Sequence, residues 1–207
     1  MDDIHWYERL GNVPGITYEG HPDVDRRVLP QHNAKPSVES FVFDGRTQRS
    51  LSWKTESGST SRSPAAGWSG GDDPRKTSAP QLLRRLYEAI ELPGTISDYH
   101  FAMLGVYQAL WAHRKREPEI LPELEKILLL DISLVEAHPK SITFDTQGEE
   151  FVPHVPAFEY LVALYEREGF LHEALDIAKR AVKAGQDSSD EERLTERIAV
   201  LDAEDES

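Results

Sequence analysis

The spacing of apolar residues changes near residue 80. Beyond that point they recur three and four apart, which is the period of a helix with one buried face. Leu82, Leu83, Leu86, Tyr87 and Ile90 form the first stripe, opened by Ser78 and Pro80 and stopped by Pro93-Gly94. Ser97 is placed to cap a second helix, with Phe101, Leu104, Tyr107, Leu110 and Trp111 as its stripe. His113 to Arg116 then puts positive charge at that helix's negative dipole end. Pro118 opens a third helix carrying Ile120, Leu121, Leu124, Ile127, Leu128, Leu134 and Val135, and His138-Pro139 ends it. Residues 140–155 interrupt the periodicity. Ile142, Phe144, Phe151 and Val152 flank a polar turn with Gly148, which reads as a small hairpin or an irregular loop. Two helices follow across Pro156 to Ala184, and Ser189 with Glu192 fits a capping box for a last one, striped by Leu194, Ile198 and Leu201.

Before residue 80 the pattern is different. Pro14-Gly15, Gly20, Pro22, Pro30 and Pro36 break residues 1–54 too often for a long helix. Val38 to Phe43 is the best strand candidate and is followed by Asp44-Gly45, a two-residue hairpin signal, with Leu51 and Trp53 on the returning strand. In residues 55–79, Gly, Pro, Ser and Thr fill 15 of 25 positions and Trp68 is the one large apolar side chain. That composition offers little burial to offset the entropy of ordering the chain, and it predicts a linker.

Composition narrows the function classes. The net charge is −14, and it is uneven: residues 1–80 hold 10 Lys and Arg against 11 Asp and Glu, whereas residues 81–207 hold 13 against 26. An acidic helical half repels nucleic-acid phosphates and favours a basic partner, or serves solubility. The chain has no cysteine, so disulfides, thiolate metal sites and a cysteine nucleophile are excluded. Its first ten residues lack the apolar core of a signal peptide, and no apolar run reaches bilayer-spanning length. These features lead to a cytoplasmic expectation.

One helix pair carries a family pattern. With Gly169 at the turn between two helices, Phe158, Leu161 and Tyr165 lie on the first helix, and Ala174, Ala178 and Ala181 lie on the second. Large residues on one helix fill the gap to the other, alanines on the second permit close approach, and the glycine permits the tight turn. The run Tyr160 to Leu175 resembles the tetratricopeptide-repeat family over about one repeat, residues 156–185. Val162 departs from the family's small residue and Gln186 from its frequent proline. The resemblance implies a groove for a protein or peptide partner, lined by Glu159, Ala163, Glu166 and Arg167 pointing away from the pair's own core. Some members clamp a peptide's terminal carboxylate with Lys and Asn at such positions. Glu159 and Ala163 stand there instead, so that specificity is not implied.

The sequence therefore predicts a mainly α protein. Residues 80–203 form antiparallel helix pairs of tetratricopeptide-like, α-solenoid type. Residues 1–54 form a small irregular or β-hairpin region, residues 55–79 a flexible linker, and residues 204–207 an acidic tail. The expected function is an interaction module or scaffold for a protein or peptide partner, with a basic one favoured, without cofactor or catalytic residues. The alternatives are a metal-dependent enzyme or regulatory module in the N-terminal region, and a nucleic-acid-associated regulator. His21, Asp23, Asp25 and His32 are the candidate metal ligands, since imidazole and carboxylate together hold divalent ions. No nucleophile elbow, phosphate loop or His-Glu-x-x-His is present.

Overall fold

A computed structural model of the chain describes residues 5–27, 29, 36–43, 45–55, 58–69, 77–142, 144–146, 149–151 and 153–205. Among them the protein is mainly helical, with a three-stranded antiparallel sheet and a two-stranded ribbon. The chain divides into two compact units, Met1–Leu110 and Trp111–Ser207.

In the first unit, strands β1 (Ser37–Phe43), β2 (Arg46–Thr55) and β3 (Gly58–Thr60) pair in sequence order. The predicted hairpin is there, with Val42 opposite Thr47 and Phe43 opposite Arg46. Gly45 takes φ +71°, the left-handed backbone that this tight turn demands; Asp44 lies outside the described residues. Leu51 and Trp53 are buried on the central strand.

The stretch read as a linker contains more order than its composition implies. It holds β3 and a short helix, α1 (Pro64–Ser69). The Ser63 hydroxyl accepts the Ala66 N–H at 3.0 Å as an N-cap, and the Ala65 N–H donates to the Pro93 carbonyl at 3.1 Å. The Trp68 indole donates to Glu88 at 3.0 Å. Backbone bonds and a close contact of small residues order this segment, and neither registers when bulky apolar residues are counted. Residues 56–57 and 70–76 of the stretch lie outside the description.

Helices α2 (Ala79–Ala89) and α3 (Ile96–His113) follow the predicted spans. The cap of α3 is Thr95 rather than Ser97. Thr95 Oγ1 accepts the Asp98 N–H at 3.2 Å while Asp98 accepts the Thr95 N–H at 2.8 Å, a reciprocal capping box. Of the predicted stripe of α3, Tyr107 and Leu110 are buried; Tyr99, Met103 and Val106 join them inside, and Phe101 is exposed. The N-terminal segment is laced to the α2–α3 connection by Tyr7–Gly94 backbone bonds in both directions, at 2.8 and 3.0 Å, and by Leu10 N–H to Ile90 carbonyl at 2.8 Å. The buried Tyr99 hydroxyl ties the same place together, donating to the Leu92 carbonyl at 3.0 Å. These pairings put α2 with the N-terminal segments, within the compact unit that runs to Leu110.

The second unit contains α4 (Leu121–Ala137), the ribbon β4 (Phe144–Thr146) and β5 (Glu149–Phe151), and helices α5 (Pro156–Glu168), α6 (Leu171–Lys183) and α7 (Ser189–Asp205). The ribbon settles the choice left open for residues 140–155; Gly148 and Val152 lie outside the description. Gly169 ends α5 in the left-handed region, φ +87°, and α6 begins two residues later. Phe158, Leu161 and Val162 of α5 are buried, as are Ala174, Ala178 and Ala181 of α6. The last helix begins one residue earlier than the capping box predicted: the Ser188 carbonyl accepts the Glu192 N–H at 3.1 Å and its hydroxyl donates to the Glu192 carboxylate at 3.3 Å. Leu194 is its fully buried residue, and the helix runs on through Asp205, into the segment expected as a tail.

Gly94 offers a direct test of how the first unit is packed. A methyl group there would lie 2.8 Å from the Ala65 Cβ and 3.2 Å from the Tyr99 ring. Gly94→Ala should lower stability by about 1–3 kcal/mol through overpacking. Adding Ala65→Gly should recover part of the loss in urea unfolding, although the glycine itself costs about 1 kcal/mol in a helix.

Candidate binding surface on the C-terminal helices

The site is built on α5, whose two ends face different chemistry. At its N-terminal end, Gln186 closes the connection between the entry to α5 and the exit from α6. Its side-chain oxygen accepts the Val155 N–H at 2.9 Å and its amide nitrogen donates to the Pro153 carbonyl at 3.2 Å. This is the position where the resemblance leads one to expect proline. Glutamine instead satisfies backbone groups that a proline ring could not reach.

Beside Gln186 lies a pocket of about 40 Å³ between α5, α6 and the start of α7. Phe158, Val162, Ala178 and Ala181 form its apolar lining, and Glu159, Asp187 and Asp190 supply carboxylates around it. That volume holds about three water-sized groups, enough for the tip of one side chain. Glu159 is exposed, with His154 Nε2 at 3.5 Å. Asp187 accepts the N–H and the hydroxyl of Ser189 at 3.2 and 3.0 Å, which holds its carboxyl below the usual range.

Two turns further along α5 the charge reverses. Glu166 does not stand open to a groove. It is half-buried and accepts from Arg193 at 2.7 Å and from Arg197, both on α7. These arginines hold its carboxyl below the usual glutamate range, with the Arg193 hydrogen bond as the largest cause. Arg193 also reaches Asp190 at 2.7 Å. Arg167 is exposed, with Glu168 at 3.5 Å. Its charge, after burial, depresses the Arg114 guanidinium, so the two cations lie near each other. Arg114 covers the Trp111 ring at 3.8 Å from its centre and donates to the Trp111 carbonyl. Trp111 in turn stacks on Tyr160 of α5, 4.7 Å apart and within 7° of parallel. Ala163 is exposed between the two ends.

Polar contacts underneath fix the helices that carry this surface. The Tyr165 hydroxyl donates to Glu125 of α4 at 2.7 Å, and burial together with that carboxylate pushes the phenol up to about 12. Arg180 of α6 grips Glu136 of α4 with two bonds, at 2.8 and 2.9 Å.

Of the N-terminal candidates, His21 and Asp23 lie side by side, with His21 Nδ1 4.0 Å from the Asp23 carboxylate. The His21 ring stacks on Tyr87 at 4.2 Å and its Nδ1 accepts the Asp23 N–H at 3.2 Å. Asp25 is bound to Arg27 at 2.8 and 2.9 Å, and His32 lies outside the described residues. Among the described residues no three His, Asp or Glu converge as a metal site. This unit also holds an ionic contact that sequence spacing does not signal: Arg26 makes two bonds, 3.1 and 2.7 Å, to Glu91, whose side chain is 3% exposed and which Arg9 approaches to 3.9 Å. Arg26 and Glu91 are 65 residues apart, and no local pattern joins them.

Comparison with known proteins adds no relative: no family model, no curated protein and no solved structure matches this chain. No helix among the described residues is long and apolar enough to cross a membrane.

The Glu166 network has a pH signature. Because its folded-state carboxyl is depressed, its contribution is full above the unfolded glutamate value of about 4.3 and is lost as pH falls through the lower folded value. Glu166→Gln should cost about 1 kcal/mol at neutral pH, the upper range for half-exposed ion pairs. The gap between the two proteins' urea midpoints should close below pH 4.

Proposed function

We propose that the helical unit 111–207 is a binding module for a protein or peptide partner, in the manner of the tetratricopeptide-like repeats that Tyr160 to Leu175 resembles. The observation that carries this reading is the pocket at the head of α5, apolar within and ringed by carboxylates. A lysine or arginine side chain has the matching form, an aliphatic stem with a cationic head. Its stem lies against Phe158, Val162, Ala178 and Ala181 while its charge meets Glu159, Asp187 and Asp190. Gln186 supports the site by holding the walls in register.

Two further features favour this reading. The pocket's size suits one side chain and not a cofactor, whose sites commonly measure about 300–1,000 Å³. The alanines that line it belong to the helix interface itself, so the recess is held by packing instead of by a mobile loop.

The test is a methyl NMR titration of the full chain with N-acetyl-lysine methylamide, beside its norleucine counterpart. The Ala178 and Ala181 methyl signals should move saturably with the lysine compound and much less with norleucine. Glu159→Gln should weaken the lysine response. Unmoved methyls with the lysine compound would remove the pocket as a recognition site.

A further inference from the structure

The helical unit is strongly acidic, with 11 Lys and Arg against 23 Asp and Glu in residues 111–207. Six of the eleven cations are arginines, and four of those six gather around the C-terminal half of α5: Arg114, Arg167, Arg193 and Arg197. Lys115 and Arg116, both exposed, adjoin Arg114 in sequence. The carboxylates that meet the four arginines are Glu166, Glu168 and Asp190. Among the described residues these four arginines share three paired carboxylates, in a unit where anions outnumber cations two to one. A guanidinium has five donors, and the bonds to Glu166, Glu168, Asp190 and the Trp111 carbonyl occupy only part of that set.

We infer that this arginine face docks an acidic segment of a partner protein, whose side-chain carboxylates pair with Arg114 and Arg167 beside the Trp111–Tyr160 stack. The inference rests on reading this unit as a partner-binding module and adds the chemistry of a second contact. Arg114 is already held over Trp111 and against its carbonyl, so little freedom is lost when it binds. Arg167 is exposed on α5 two turns beyond Tyr160, on the helix face that carries the Trp111 stack with Arg114 over it, and so brings a second guanidinium to the same face. Planar guanidinium forks match carboxylates with two parallel bonds. Burial first and the Arg167 charge second hold the Arg114 guanidinium below its ordinary value, and an incoming carboxylate opposes both.

The acidic surroundings select for a short anion. A nucleic acid extends its charge well beyond the patch, across surface that repels it. A few carboxylates stay within about one screening length of the arginines, roughly 8 Å at physiological salt. The stacked aromatic rings offer an apolar platform for the side chains between those carboxylates.

The experiment uses the full chain and a fluorescein-labelled peptide in which Glu alternates with Gly and Leu, amidated so that only side-chain carboxylates are presented. Fluorescence anisotropy should show saturable binding. Arg114→Gln with Arg167→Gln should weaken it about tenfold, equivalent to about 1.4 kcal/mol. Lys179→Gln with Lys183→Gln makes the same change in net charge on α6 and should alter binding less than about twofold. Should the Gln pair fail to fold by thermal melt, Arg167→Gln alone carries the comparison, because that side chain is exposed. No binding of the Glu peptide, or equal losses in the two pairs of variants, overturns the inference. So does a single-stranded oligonucleotide that binds the face more tightly than the peptide. If the lysine compound still moves the Ala178 and Ala181 methyls while the Glu peptide fails, the binding-module reading stands and the arginine-face inference alone falls.

Discussion

The second unit depends on how closely α5 and α6 approach. Phe158, Leu161 and Val162 need a facing surface without bulk, and Ala174, Ala178 and Ala181 provide it at helical spacing. Gly169 makes the approach possible by reversing the chain within two residues, in a backbone conformation that strains any residue with a Cβ. The same small residues that permit contact also leave the recess. Where Ala178 and Ala181 lie near the start of α7, no large side chain fills the corner. The pocket is thus a by-product of the interface rather than a separate construction.

Charge along α5 is distributed in a way that serves helix stability and recognition together. Glu159 lies in the first turn and Arg167 in the last, the signs favoured by the helix dipole. Those preferences yield an acidic head and a basic end on one helix. The neighbouring elements extend each: Asp187 and Asp190 at the head, Arg114, Arg193 and Arg197 at the other end. A net charge summed over the unit hides this polarity. The most exposed charges contribute little to stability, which leaves them available for a partner.

The first unit adds backbone pairing to a core of bulky side chains such as Leu10, Leu86, Tyr99 and Met103. Tyr7 and Gly94 exchange hydrogen bonds, Leu10 bonds to Ile90, and Ala65 bonds to Pro93. All of these converge on the short connection between α2 and α3. Gly94 lets Ala65 and Tyr99 close over it. Arg26, itself half-exposed, and Arg9 both reach the buried Glu91 carboxylate and fasten the N-terminal segment to the same connection.

Local patterns in the sequence determined the helices after residue 80, the Val38–Phe43 hairpin and the glycine turn of the α5–α6 pair, because periodicity, turn chemistry and small-residue spacing act within a few neighbours. They also marked Glu159 and Arg167 as exposed positions. What they left undecided were the contacts between distant residues. Phe101 sits on an apolar period yet faces outward, since the stripe that is buried depends on what packs against the helix. Glu166 looked like a free groove residue until α7 brought Arg193 and Arg197 to it. The segment 55–79 reads as unstructured by composition, but Ala65 and Trp68 find partners at Pro93 and Glu88. In each case the deciding energy comes from a group far away in the chain, and only the tertiary structure brings that group within reach.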